Sequence, residues 1–187
     1  MSELRQIHNL ALIGFMGTGK SSVGRWVARR LQFAFVDTDA RIEEQFGCSI
    51  TEMFQRFGEP WFRKQERRVV AELAQCRRTV IATGGGLVAN GASLVLLKQH
   101  SLIVCLWASP ERIWERVRRQ SYRPLLQTAD PQARIRQLLS ERAPYYRQAD
   151  VLIHSELRSV SQVGQQIIQH FKLHQAAAAV AHEDAPL

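Results

Sequence analysis

The chain turns on eight residues, Gly14-Phe15-Met16-Gly17-Thr18-Gly19-Lys20-Ser21. They match the pattern GxxxxGK[ST], follow an apolar run over 8–13, and open a segment in which Val23, Val27 and Leu31 recur at i, i+4 and i+8 with Trp26 beside them. That order is strand, loop, helix, the context the pattern requires. Each residue type has a chemical reason to be there. Glycines let successive backbone N–H groups turn inward around an anion, where side chains would obstruct them. The helix N-terminus adds partial positive charge. Lys20 is expected to reach the β- and γ-phosphates, and the Ser21 hydroxyl to ligate Mg²⁺. A glycine-rich turn with an incidental lysine would not need the flanking strand and helix. A dinucleotide fingerprint would need glycine at 22, where Ser22 stands. The segment is expected to bind a nucleoside triphosphate.

On either side of this loop, short apolar runs alternate with helical stretches. A strand over 33–36 ends at Asp37-Thr38-Asp39, and helices are expected over 40–46, 50–57 and 60–75, the second opened by the capping-box spacing Ser49-Ile50-Thr51-Glu52. A third strand over 79–82 stops at Gly84-Gly85-Gly86. A helix over 90–98 leads to a strand over 102–107, and Ser109-Pro110 supplies an N-cap and a first-turn proline. The stretch 121–130 lacks helical periodicity and reads as a mobile loop. A helix over 131–148, a strand over 151–154 and a helix over 160–173 complete the pattern. Strands alternating with helices of this length mean βαβ units, so the fold class is α/β: a five-stranded parallel sheet covered on both faces. Residues 1–174 read as one domain, with a lid at about 120–130, and 175–187 as a disordered, alanine-rich tail. No internal repeat is visible.

At 187 residues, 45% hydrophobic and 22% charged, the composition is that of a globular protein with one core. No apolar run approaches the roughly 20 residues that span a bilayer, and the apolar run at 10–16 has neither the leader nor the cleavage site of a secretory signal. Cys48, Cys76 and Cys105 form no CxxC pair and read as reduced thiols. A cytoplasmic location is expected. The net charge is +8, and of the 25 basic residues 21 are arginine, whose fork suits phosphate and carboxylate ligands.

Ligands of open α/β sheets sit beyond the carboxyl ends of the strands. Asp37 and Asp39 stand there. Two residues apart on a strand end, both carboxylates would face the phosphate loop. One would hold Mg²⁺ while the other accepts a proton from an attacking hydroxyl, although aspartate is also common in turns and as a helix N-cap. Neither later strand ends in an aspartate, which makes Asp37 the better metal candidate. The three glycines at 84–86 allow backbone to approach a ligand closely. Arg63 and Glu66, at i and i+3, suit a pair in which the carboxylate fixes the guanidinium for a ligand. Arg112, Arg116 and Arg119 follow i, i+4, i+7 and read as a solvated face opposite Ile113 and Val117. Arg123 sits beside Pro124 in the lid, where an arginine would stabilise charge on a transferring phosphoryl group.

The ordered set of the loop at 14–21, Asp37-Thr38-Asp39, Phe57-Gly58-Glu59 with Phe62-Arg63, Gly84-Gly85-Gly86, Arg123-Pro124-Leu125-Leu126 and Glu141-Arg142-Ala143-Pro144-Tyr145-Tyr146 resembles the shikimate kinase family over roughly 8–172. The resemblance implies a P-loop three-layer sandwich like that of nucleoside monophosphate kinases. It implies transfer of the ATP γ-phosphoryl group to the 3-hydroxyl of shikimate in aromatic amino-acid biosynthesis, with Mg²⁺. It implies catalytic roles for Lys20, Asp39 and Arg123, and ATP contacts from Gly17, Thr18, Gly19, Lys20, Ser21, Ser22, Arg116, Arg123 and Arg158. Asp39, Arg63, Gly84, Gly85, Gly86 and Arg142 would hold shikimate. Glu66 would position Arg63, and Ser21 and Asp37 would serve the metal. Shikimate and ATP are then the expected partners of a monomer, without nucleic acid or membrane. Two alternatives stay open at this point: a kinase of the same chemistry acting on gluconate or a nucleoside monophosphate, and a nucleotide-gated nucleic-acid-binding module using the arginine-rich surface.

Overall fold

A computed structural model of the chain describes residues 5–89, 91–118, 124–126 and 128–183. Five strands, β1 (Asn9–Ile13), β2 (Ala34–Asp37), β3 (Thr79–Ala82), β4 (Ser101–Trp107) and β5 (Val151–His154), form one parallel sheet in the order β2-β3-β1-β4-β5. The central strands β1 and β3 are buried along their whole length, as parallel strands covered on both faces must be.

Alternation along the strands divides the core. Leu10, Leu12, Val80, Val104 and Leu106 face α1 (Lys20–Leu31) and α7 (Val160–Glu183), meeting Val23, Val27, Ile167 and Phe171. Ala11, Ile13, Ile81, Ile103 and Cys105 face the other layer, formed by α3 (Ile50–Leu73), α4 (Gly91–His100), α5 (Pro110–Val117) and α6 (Pro131–Tyr146). The short α2 (Thr38–Phe46) leads from β2 into α3. This is the expected three-layer α/β sandwich, with the strand carboxyl ends on one edge.

Several boundaries differ from the sequence reading. The expected helix over 40–46 begins two residues earlier, because the Asp37 carboxylate accepts from the Asp39 and Ala40 N–H groups and caps it. The expected division between helices over 50–57 and 60–75 holds inside α3, which breaks where Gly58 leaves helical geometry at φ 77° ahead of Pro60. The last helix, expected to end near 173, continues to Glu183 through the alanine run, the strongest helix former. Thus 175–183 is helical where a disordered tail was expected, and 184–187 lie outside the described residues. Within the expected lid, Pro124–Leu126 forms a 3₁₀ turn. Among the described residues no helix is long and apolar enough to cross a membrane.

Candidate active site

The loop between β1 and α1 is held by its own side chains. Lys20, although buried, donates from Nζ to the Gly14 and Phe15 carbonyls at 3.0 and 2.8 Å. Thr18 Oγ1 donates to Phe15 O at 2.8 Å. The N-cap of α1 is Gly19, at φ 96°, and no side chain among the described residues caps that helix. Its first-turn N–H groups therefore face a cavity of about 330 Å³ lined by Gly17, Gly19, Lys20, Ser21, Ser22, Asp37, Asp39 and Arg116. The sequence-predicted phosphate residues are thus brought together, except Thr18, whose side chain is spent on holding the loop.

Asp37 and Asp39 both reach this cavity, but not as strand neighbours. Asp37 ends β2 and caps α2, while Asp39 sits in the first turn of α2. Ser21 Oγ donates to Asp37 Oδ2 at 2.6 Å. A hydroxyl and a carboxylate this close, on the wall that carries Lys20, are hard oxygen donors of the kind Mg²⁺ takes beside phosphates. The donor set fits that ion.

A second cavity, of about 410 Å³, shares Met16, Ser21, Asp37, Asp39 and Gly85 with the first and continues to Arg63, Glu66 and the three glycines. Here the glycines are a steric requirement. A Cβ on Gly85 would come within 2.9 Å of Met16 N, one on Gly86 within 2.6 Å of Arg63 Nη2, and one on Gly84 would collide with Asp39 Oδ1. The glycine turn thus lets Asp39, Arg63 and the phosphate loop converge. The Gly84 N–H donates to Thr38 Oγ1 at 2.9 Å, which fixes the turn to α2.

Arg63 is gripped from both sides. Its Nη1 donates to Glu66 Oε2 at 2.6 Å, and its Nε and Nη2 to Glu59 Oε1 at 3.0 and 2.6 Å. Against the opposing effect of burial, Glu66 and Glu59 lift the Arg63 pKa above its usual value. Burial pushes the Glu66 carboxyl upward against the pull of Arg63 and Arg142. Among the described residues Glu66 Oε1 has no hydrogen-bond partner, and it faces Gly84. Arg142, buried on α6, donates to Gly85 O at 2.9 Å, and its guanidinium lies 5.4 Å from the Phe15 ring centroid. Tyr146 also donates to Gly85 O, at 3.1 Å, and burial pushes its hydroxyl up to about 12.

Two arginines fall differently from the sequence reading. Arg116 is not on a solvated face with Arg112: it is half-buried and donates to Gly17 O at 3.0 Å and to Ser155 O at 2.8 Å. Arg158 lines neither cavity. It donates to Gln166 Oε1 at 2.8 Å, in a groove with Gln162, Gln165 and Gln169. Arg123 lies outside the described residues. Sequence reasoning missed the roles of Glu59, Thr38, Tyr146 and Ser155. Glu59 stands at i−4 from Arg63, a spacing that could have revealed it; the other three act across 46, 61 and 137 residues, with no local signal.

A model of the shikimate kinase family matches residues 16–172. A shikimate kinase from Thermodesulfovibrio yellowstonii is 44% identical over 164 residues, covering 88% of this chain and 95% of that one. The structure of the Acinetobacter baumannii shikimate kinase in complex with shikimate superposes with a TM-score of 0.85 at 36% identity, over 90% of this chain and 94% of that one. A gluconokinase from Sinorhizobium meliloti, at 17% identity and a TM-score of 0.60 over 97% and 99% of the two chains, shares the fold alone. With a family match across most of its length, on a scaffold that closes a phosphate loop and an arginine-lined pocket around one aspartate, the chain belongs to the shikimate kinase family.

Proposed function

We propose that this member of the family, which transfers the γ-phosphoryl group of ATP to shikimate, divides the work along its double cavity. The observation that carries the reading is the shared wall: Asp39 borders both the Lys20 cavity and the Arg63 cavity. The Lys20 end takes the triphosphate on the α1 N-terminus and the Lys20 ammonium, with Gly17, Gly19 and Ser22 beside it and Arg116 on the base side. Ser21 and Asp37 would hold Mg²⁺, which would supply neutralisation of the triphosphate's negative charge. The Arg63 end takes a small carboxylic acid. Arg63 and Arg142 pair with the carboxylate, the backbone at 84–86 closes over the ring, and Asp39 accepts a hydrogen bond from the 3-hydroxyl.

Asp39 orients the hydroxyl in line with the γ-phosphorus. As the new oxygen–phosphorus bond forms, the proton passes to the Asp39 carboxylate and the bond from the γ-phosphorus to the bridging β–γ oxygen breaks, releasing ADP. Because phosphoryl transfer is loose, orientation and charge neutralisation supply most of the acceleration. Arg123 closes from the lid onto the phosphates and excludes water. The chain works as a cytoplasmic monomer on small-molecule partners.

A coupled ADP-release assay over a panel of acceptors tests the reading. ADP release with shikimate, and only background release with gluconate or buffer, is the expected result; equal release with gluconate would sink it. Replacing Arg63 or Arg142 by alanine should raise the KM for shikimate far more than that for ATP.

A further inference from the structure

We propose that Ser155, in the turn after β5, is a positioning residue for the phosphate loop: its hydroxyl fixes the Thr18–Gly19 peptide so that the Gly19 N–H faces the Lys20 cavity. The inference rests on the reading that this loop holds the phosphates of ATP. Ser155 is 4% exposed and 137 residues from Thr18, yet its Oγ donates to Thr18 O at 2.9 Å. That carbonyl has no helical partner, because the first helical bond of α1 runs from Val23 N to Gly19 O, one residue later. A trans amide points its C=O and N–H in opposite directions. A carbonyl held on the Ser155 side therefore turns the Gly19 N–H the other way, and Gly19 lines the cavity.

The anchor itself is rigid. The Ser155 N–H donates to Trp107 O at 2.8 Å, at the end of β4, and the next residue, Glu156, accepts from the Ser109 N–H. Ser155 Oγ also lies 3.2 Å from Trp107 O, but a hydroxyl has one proton, and Thr18 O, at 2.9 Å, is the nearer of the two acceptors. Arg116 closes the arrangement by donating to both Ser155 O and Gly17 O. Lys20 thus holds the Gly14 and Phe15 carbonyls from within the loop, while Ser155 and Arg116 hold those of Thr18 and Gly17 from outside it.

The test uses the full chain with Ser155→Ala, Ser155→Thr and, as a reference, Lys20→Ala. For each, the KM values for ATP and shikimate, the Kd for ADP and the Tm are measured. Loss of one hydrogen bond that orients a phosphate ligand should raise the KM for ATP and the Kd for ADP about five-fold in Ser155→Ala, with the KM for shikimate within about two-fold of the parent. Ser155→Thr, which keeps the hydroxyl, should restore both ATP constants. If Lys20→Ala loses activity while Ser155→Ala leaves both ATP constants unchanged, the inference is overturned and the phosphate reading stands. It is also overturned if Ser155→Ala lowers Tm and raises both KM values in equal proportion, the mark of a purely structural role. If Lys20→Ala retains full activity, the phosphate reading itself fails. Should Ser155→Ala not fold, Ser155→Cys, with a weaker donor of similar shape, carries the same comparison.

Discussion

The cavity wall at Lys20 is mostly main chain, and the wall at Arg63 is mostly side chain. At the first, glycine-rich backbone and a helix N-terminus present N–H groups, and the side chains of Lys20, Thr18, Ser155 and Arg116 hold loop carbonyls. At the second, three guanidinium nitrogens of Arg63 are pinned by two carboxylates, and the glycines contribute the space they leave empty. The difference suits the ligands. A triphosphate is a diffuse polyanion that many dipoles can share, whereas one carboxylate with neighbouring hydroxyls needs a fork at a fixed angle. A site of shared dipoles should tolerate single losses better at its backbone than at the Lys20 ammonium, and a site of forks should fail with small displacements.

The largest effect expected on that view is Lys20→Ala. Removing the Lys20 ammonium, which the phosphate loop wraps, should lower kcat/KM for ATP by about 10²–10³-fold, as loss of a single transition-state charge partner does elsewhere. Next comes Gly86→Ala. The added Cβ would lie within 2.6 Å of Arg63 Nη2, so the guanidinium must move. A shift of that size should cost about 10²-fold in kcat/KM for shikimate, with the KM for ATP nearly unchanged. Steady-state kinetics with each substrate varied in turn checks both. A Gly86→Ala enzyme that loses ATP affinity instead would break the division between the two walls.

The two walls were not equally legible in the sequence. The phosphate loop is contiguous, and its chemistry follows from eight adjacent residues in the right strand-loop-helix setting. The sheet was legible for a similar reason: β1, β3 and β4 are largely apolar runs, the expected bounds of β3 hold, and β1 and β4 differ by one residue at their N-terminal ends. The acid pocket is assembled from α2, α3, the turn after β3 and α6, so Asp39, Arg63, Gly85 and Arg142 gained a shared purpose only through resemblance to a family. Local spacing exposed just the Arg63–Glu66 pair. For Arg116 the helix-face pattern, which is that of solvent-exposed arginines, carried no signal of its place in the Lys20 cavity, because the Gly17 carbonyl it donates to lies 99 residues away; only the resemblance put it at ATP. The break at Gly58 was legible, since the helices expected over 50–57 and 60–75 leave Gly58 between them, ahead of Pro60.

Glu66 sharpens the comparison further. It is 2% exposed, and its bond to Arg63 Nη1 is 2.6 Å long. Glu66→Ala should raise the KM for shikimate about ten-fold, the usual order for removing a buried charge-assisted bond, with Glu66→Gln in between. The far end of the sheet serves as a control. There His100 is buried against Asn9 and Ser101, its Nε2 has no hydrogen-bond partner among the described residues, and its pKa is lowered by burial, then by Arg77 and His8. The folded chain thus prefers neutral His100 while the unfolded chain binds a proton near pH 6.5. Stability should fall as pH drops from the unfolded value toward the lowered folded one, and level off below it. His8, lowered in the same sense by burial and Arg77, adds to the slope. Denaturation midpoints measured across that window should fall less steeply in His100→Gln, with both KM values unmoved at neutral pH.

The smallest effect tests whether burial, not pairing, makes the acid wall rigid. Glu59 meets Arg63 at 2.6 Å, the same distance as Glu66, and touches one more nitrogen. By bond count it should matter at least as much. Yet its side chain is 47% exposed against 2% for Glu66, and it stands next to the kink at Gly58. An exposed i,i+4 pair is worth a few tenths to about 1 kcal/mol, because water and salt screen it. Glu59→Gln should therefore raise the KM for shikimate by no more than about three-fold, and that difference should shrink toward nothing in about 1 M salt, where screening acts over about 3 Å. The Glu66→Ala defect should persist in the same salt, since the Glu66 side chain is only 2% exposed. If Glu59→Gln matched Glu66→Ala in size and in salt resistance, the fork would owe its angle to the number of carboxylates around it, and the contrast between a solvent-screened and a buried grip would fall.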